Sequence, residues 1–101
     1  MEKLYVVHWA SASCDDDGNA HAYCGIHGIY NTKSAALQGL VNCKDETYKE
    51  VLNDIDPDGE FPELIDETEI RVYGSEAEEH FEIDYVLGTE PCEIYITITE
   101  H

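Results

Sequence analysis

Three segments in the second half of the chain alternate apolar and polar residues. Residues 79–87, EHFEIDYVL, place four apolar side chains at every second position, and residues 92–99, CEIYITIT, repeat that pattern. Residues 69–74, EIRVYG, form a shorter run rich in β-branched and aromatic residues. Because successive side chains of a strand point to opposite faces, these segments predict three strands, each with one buried and one exposed face.

The first half opens with two further predicted strands joined by a hairpin turn. Residues 3–10, KLYVVHWA, and residues 20–30, AHAYCGIHGIY, carry the residue types that favour strands. The Asp-Gly pair at 17–18 between them is a hairpin signal. A two-residue turn centred on that pair places Cys24 and Ile26 on the more apolar face of the hairpin, and we expect this face to meet a helix.

A helix is predicted between the two groups of strands. Asn31 or Thr32 can cap its start, and apolar residues recur at helical spacing until about Asn53. Gly39 is a poor helix former, so we expect a break near Lys44.

The resulting order of elements, ββαβββ, predicts the fold class. We expect an α+β fold in which an antiparallel sheet of about five strands carries one helix, continuous or broken, on one face. The chain of 101 residues suits one domain with one core, covering residues 1–101.

The charge of the chain is strongly negative and unevenly distributed. It has 23 acidic and 5 basic residues, a formal net charge of −18. Residues 50–101 contain 17 of the acids and a single base, Arg71. Such a field repels nucleic acids and anionic membranes and attracts basic surfaces or cations, so it argues against direct nucleic-acid binding.

The sequence indicates a cytoplasmic protein. No apolar run approaches the length needed to cross a membrane, and the N-terminal segment has too little charge and apolar length for a signal peptide. We therefore expect the four cysteines to be reduced; the alternative is a processed secreted domain, because an even number of cysteines also suits disulfides.

Histidines and cysteines in the first hairpin raise the question of a metal or catalytic site. The predicted register places Cys14 opposite His21 and His8 opposite His27, as two pairs about 20 Å apart along the strands. Four zinc ligands must lie within about 2.3 Å of one ion, which this hairpin does not permit. The acidic run 15–17 would raise the pKa of the Cys14 thiol and disfavour a nucleophilic thiolate, so we expect no enzymatic activity.

An acidic hexapeptide after the predicted helix, DIDPDG at 54–59, suggests a calcium loop. Asp54, Asp56 and Asp58 occupy positions one, three and five, and glycine occupies position six, so the hexapeptide resembles the start of an EF-hand loop. The resemblance covers six residues only, because position twelve, which should be glutamate, is Ile65. A calcium-binding module built on residues 54–66 is therefore one alternative.

Carboxylates and tyrosines of the second half form the main candidate interface. The predicted register of the last hairpin places Asp84 opposite Tyr95 and Val86 opposite Glu93, and we expect residues 54–69 to extend the same negative surface. The residues predicted to bind a partner are Asp54, Asp56, Asp58, Glu60, Glu63, Asp66, Glu67, Glu78, Glu79, Glu82, Asp84 and Glu93, with Tyr73 and Tyr95 between them.

These features favour a small non-enzymatic binding protein. Regularly spaced carboxylates on a rigid surface can imitate a nucleic-acid backbone and occlude the basic groove of a nucleic-acid-binding protein or nuclease. In size, acidity and lack of catalytic motifs, the chain is similar to phage-encoded inhibitors of restriction and CRISPR nucleases. A further alternative is an acidic structural or interaction domain without such a partner. An exposed edge strand, 3–10 or 69–74, could also pair two copies of the chain.

Overall fold

The computed structural model describes residues 3–15 and 17–101 and confirms the α+β fold. Its elements are β1 (Tyr5–Cys14), β2 (Ala20–Tyr30), α1 (Lys33–Ile55), α2 (Pro62–Glu67), β3 (Arg71–Ser75), β4 (His80–Leu87) and β5 (Glu90–Glu100). The strands form one antiparallel sheet in the order β2-β1-β5-β4-β3, with α1 packed on one face. Asp16, part of the predicted acidic run, lies outside the described residues.

The main helix is continuous, and the break expected near Lys44 does not occur. Thr32 is the N-cap, and its Oγ1 accepts a hydrogen bond from the Ala35 N–H at 3.1 Å. Gly39 is buried in the middle of α1, where a Cβ would overlap the ring of Tyr30. The glycine therefore allows close contact between helix and sheet, and this packing outweighs its low helix propensity.

The core lies between α1 and one face of the sheet, in two adjoining clusters. Val7, Leu40 and Ile96 are fully buried in the first cluster, and Val51 and Ile83 in the second. Each such side chain contributes roughly 1.5–3 kcal/mol by leaving water. The short helix α2 was not predicted from the sequence.

The segment containing α2 completes the core at one end of the sheet. Ile65 and Ile70 pack against the second cluster, which includes Ile55 and Tyr85. This contact places α2 and its surroundings on the same side of the sheet as α1.

The first hairpin has a different register from the one predicted. The turn is longer, because the Asp15 N–H donates to the Asn19 carbonyl and Asp15 Oδ1 accepts from the N–H of Asp17 and Asn19. Cys14 therefore pairs with Ala20, and His21 with Ser13. A shift of one residue exchanges the two faces of a strand.

That exchange corrects the placement of several side chains. Cys24 and Ile26 pair with Ala10 and His8, and both are exposed on the sheet face opposite α1, hereafter the outer face. They do not meet the helix as expected. The irregularity between Val7 and His8 restores the predicted pairing only near the end of the hairpin.

The last hairpin differs from its predicted register by two residues. Leu87 pairs with Glu90 across a two-residue turn in which Gly88 has a φ of 68°. Asp84 consequently lies opposite Glu93, and Tyr95 opposite Glu82. Because the shift is even, every side chain keeps its predicted face.

The sheet order also corrects the prediction of which strands lie at the edges. β1, which contains most of residues 3–10, pairs with β2 on one side and β5 on the other, so it has no free edge for a second copy. The edges are β2 and β3, and β3 contains most of residues 69–74.

We predict that Gly39→Ala destabilises the protein, and that the loss of stability arises only from overlap of the new Cβ with Tyr30. In an exposed helix, this substitution would stabilise by about 1 kcal/mol. Here the new Cβ would overlap the Tyr30 ring, so we expect a loss of about 1–3 kcal/mol in urea unfolding. In a Tyr30→Ala background, the same substitution should be neutral or stabilising. An equal loss in both backgrounds would contradict this packing.

Candidate functional site

The outer face of β3, β4 and β5 brings three of the predicted carboxylates together. Across these strands, Tyr73, Glu82 and Tyr95 form one row. The neighbouring row consists of Arg71, Asp84 and Glu93. We call Glu82, Asp84 and Glu93 the acidic cluster.

Sheet geometry determines the spacing within the acidic cluster. Asp84 and Glu93 are directly opposite each other, which places their Cβ atoms about 4.5–5.5 Å apart. Glu82 lies two residues from Asp84 on the same strand, about 6.8 Å along it. All three carboxylates are carried by β4 and β5, which are paired on both sides and hold their side chains in a fixed arrangement.

Asp84 and Glu93 are close enough to Glu82 to affect its protonation. A hydrogen bond with Asp84 raises the pKa of Glu82, and desolvation and repulsion by Asp84 and Glu93 raise it further. Asp84 Oδ1 is buried and has no hydrogen-bond partner among the residues that the structure describes. The cluster therefore carries unrelieved negative charge and an unused acceptor.

Tyr95 is held against the cluster. Its hydroxyl donates to Glu93 Oε2 at 2.7 Å, and this hydrogen bond is the largest cause that raises the pKa of Tyr95 to about 12. The His80 ring lies on its other side, with 6.3 Å between ring centroids. The phenol ring and the Glu93 carboxylate are thus positioned as one unit.

The nearest cation does not neutralise the cluster. Arg71 shares its row, but its Nη2 and Nε lie 2.8 and 2.9 Å from Glu69 Oε1. Within residues 3–15 and 17–101, no lysine, arginine or histidine forms an ion pair with Glu82, Asp84 or Glu93.

The three aspartates of the predicted calcium loop do not converge. The Tyr85 side chain hydrogen-bonds with Asp54 and Cys92, and burial, together with these two neighbours, raises the pKa of Tyr85. Asp56 is only 8% exposed and caps α1, and its Oδ1 accepts from the Phe61 N–H at 3.3 Å. Asp58 is exposed in the following turn. This arrangement does not build the EF-hand geometry that the hexapeptide suggested.

The other acids predicted to bind a partner lie away from the acidic cluster. Glu79 forms an ion pair with Lys33 at the start of α1. Since Ile65 places α2 on the helix side of the sheet, the acids around α2 do not extend the outer-face surface as expected. Glu69, at the end of the segment, does lie beside Arg71, Asp84 and Glu93. The exposed acids of this group are Glu60, Glu63, Asp66 and Glu67 beside or within α2, and Glu78 in the turn between β3 and β4.

The first hairpin also does not bring together the side chains considered for metal binding or for a Cys-His catalytic pair. Cys14 and His21 occupy opposite faces, and His21 instead lies 3.1 Å from Asp15 Oδ2. None of the four cysteines forms a disulfide. In the described part of the chain, no three His, Cys, Asp or Glu side chains are arranged to hold a metal ion.

The outer face of β1 and β2 carries no carboxylate, lysine or arginine and exposes several apolar side chains, which sequence reasoning missed. Cys24 and Ile26 of β2 lie beside Ala10 of β1, and Ile29 pairs with Val6. A signal for this region was present, because residues 5–14 and 20–30 contain no Asp, Glu, Lys or Arg. The outer face is therefore divided into an acidic and an uncharged half.

Comparison with protein-family models, with curated proteins and with solved structures finds no match for this chain. Within the described residues, no helix combines the length and the apolar character that crossing a membrane requires.

We predict that Glu82→Gln stabilises the protein near neutral pH. The raised pKa means that the folded state binds a proton at Glu82 more readily than the unfolded state, so its ionisation lowers stability as pH rises. Removing the charge should add about 0.5 kcal/mol to the free energy of unfolding, the scale of one like-charge pair across strands. The gain should vanish near pH 3, where carboxylates are protonated.

Glu60→Gln is the matched control, because Glu60 is exposed outside the acidic cluster. Urea unfolding of both variants at the two pH values provides the measurement. A loss of stability in Glu82→Gln near neutral pH, or an equal gain in Glu60→Gln, would show that crowding does not destabilise the cluster.

Proposed function

We propose that this chain is a non-enzymatic binding protein whose acidic cluster occupies the basic nucleic-acid-binding groove of a partner protein. The observation that carries the proposal is the crowding of Glu82, Asp84 and Glu93 on one sheet face, where no basic side chain of the described residues forms an ion pair with them. Occlusion of the groove would prevent nucleic acid from entering it. This activity belongs in the cytoplasm, where proteins that bind nucleic acids are accessible.

A basic partner would reduce the electrostatic repulsion between the carboxylates of the acidic cluster. A lysine or arginine placed beside the carboxylates converts like-charge repulsion into attraction. Because the carboxylates are held by paired strands, little conformational entropy is lost on binding. The same surface would repel nucleic acid itself.

The two tyrosines add contact area beside the charges. Tyr73 and Tyr95 lie on either side of Glu82 in one row, and Tyr73 is 46% exposed. Tyrosine is enriched in protein interfaces because one ring supplies both apolar area and a hydrogen-bonding group. The candidate interface therefore combines three carboxylates with two aromatic rings.

A nuclease is the partner class that best fits this surface. Restriction and RNA-guided nucleases hold nucleic acid in channels lined with lysine and arginine that contact phosphates. Carboxylates repeating at about 5–7 Å on a sheet offer spaced negative charges to such residues.

The acids outside the cluster support a second candidate function. Exposed carboxylates around α2 and paired ones such as Glu79 are dispersed over other sides of the molecule. Dispersed charge keeps a protein soluble without selecting a partner. An acidic structural or interaction domain without a nucleic-acid-binding partner would show this distribution as well.

Competition with nucleic acid tests the proposal directly. Restriction and RNA-guided nucleases would be titrated with the protein in the presence of a labelled DNA duplex. We expect at least one nuclease to lose its duplex as the protein is added, with at least about tenfold weaker inhibition at about 200 mM than at about 50 mM salt. Inhibition indifferent to salt would rule out charge mimicry, and none against any nuclease would favour the acidic-domain alternative.

Two charge-matched variants locate the surface. The triple variant Glu82→Gln, Asp84→Asn and Glu93→Gln should inhibit at least about tenfold more weakly, since it removes the acidic cluster. The control, Glu60→Gln, Glu63→Gln and Glu67→Gln, removes the same number of charges near α2 and should inhibit normally. Equal loss in both variants would indicate that net charge, and not the cluster, governs binding.

A further inference from the structure

One edge of the sheet is long and open. β2 has 11 residues and pairs only with β1, whereas β3 at the opposite edge has five residues and carries Arg71. An edge strand presents unpaired N–H and C=O groups that can accept another strand.

The open edge lacks most of the features that usually prevent strand pairing. Residues 20–30 contain no Asp, Glu, Lys, Arg or Pro, in a chain with a net charge of −18. Proteins commonly protect an edge with charged side chains, proline, short length or a bulge. Features of this kind are the irregularity opposite Val7 and His8 and two histidines, His21 and His27, that lie beside Asp15 and Glu46; residues 20–26 pair regularly with β1 up to the irregularity.

Side chains along this edge are apolar and exposed on both faces of the sheet. Ile26 is 65% exposed and Ile29 61% exposed on the outer face. Tyr23, on the helix side, is also 65% exposed. Exposed apolar side chains beside a free strand edge are characteristic of an interface.

We propose that β2 pairs antiparallel with β2 of a second copy of this chain, which joins the two sheets into one of ten strands. The sequence of β2 indicates that the strand that pairs with it is a second copy of β2. Within residues 20–26, the small residues Ala20 and Ala22 lie on the outer face near the start of β2. The large Ile26 lies on the same face further along the strand. A two-fold axis through the segment therefore sets small residues against large ones, so the strand is complementary to itself.

The distribution of charge permits this association despite the net charge. The acidic cluster lies on β5 and β4, two and three strands away from β2. With strands about 4.8 Å apart, the two copies of the cluster would be about 24–34 Å apart, compared with a screening length of about 8 Å at physiological salt. Both acidic surfaces remain free, and the inference does not depend on the proposed function.

Analytical ultracentrifugation from about 1 µM to about 1 mM tests the proposal, a range that suits the small interface of one strand pair. We expect a monomer–dimer equilibrium that high salt leaves unchanged or strengthens, because only repulsion is screened. Ile26→Lys places a charge on the proposed interface and should raise the dimer dissociation constant at least tenfold. Ala22→Lys, also on the exposed outer face of β2, is a second variant should the first fail to fold.

Val72→Lys is the matched control, because Val72 is a 45% exposed apolar residue on the opposite edge strand. The dimer dissociation constant of Val72→Lys should stay within about twofold of that of the unsubstituted protein. A monomer over the whole range would overturn the proposal, as would dimers that withstand both β2 substitutions or that Val72→Lys also disrupts. Ile26→Lys should still inhibit a nuclease, because the acidic cluster is intact in that variant. This measurement separates the proposed dimer from the proposed inhibition.

Discussion

Packing of α1 against a single face of the sheet is the constraint on which the rest of the structure depends. Val7, Leu40 and Ile96 are fully removed from water between the helix and the sheet, while no second layer formed by residues 3–15 and 17–101 covers the outer face. Since side chains alternate along a strand, each residue is assigned either to the core or to that open face. The acidic cluster and the apolar side chains of β2 are both consequences of this division.

Alternation explains why part of the candidate site could be predicted from sequence. Glu82, Asp84 and Glu93 lie between core residues in strictly alternating segments, so they share the outer face even though the predicted register of their hairpin was wrong by two residues. In the first hairpin, a shift of one residue moved Cys24 and Ile26 to the opposite face. The Asp-Gly pair alone did not determine that shift, because Asp15 lengthens the turn through its side chain.

The acidic segment after α1 shows where sequence patterns are insufficient. Asp54, Asp56 and Asp58 match the opening of a calcium loop, yet Asp54 contacts Tyr85 and Asp56 caps the end of α1. Ile65 packs against the second core cluster and so places the segment containing α2 on the helix side of the sheet. The contacts of Asp56 are local, but the packing of Ile65 joins residues that are distant in sequence, so spacing alone could not reveal that this segment lies away from the acidic cluster.

The division of the outer face reconciles two properties that would otherwise conflict. A chain with a net charge of −18 repels its own copies, and an interface carrying part of that charge would be weakened further. Here β1 and β2 contain no Asp, Glu, Lys or Arg, whereas crowding raises the pKa of Glu82 on β4. Acids are thus crowded on β4 and β5 and absent from the strands β1 and β2, with Asp15 and Asp17 confined to the turn between these two strands. The neutral end can associate through backbone hydrogen bonds and apolar contact, while the crowded end gains from a cation.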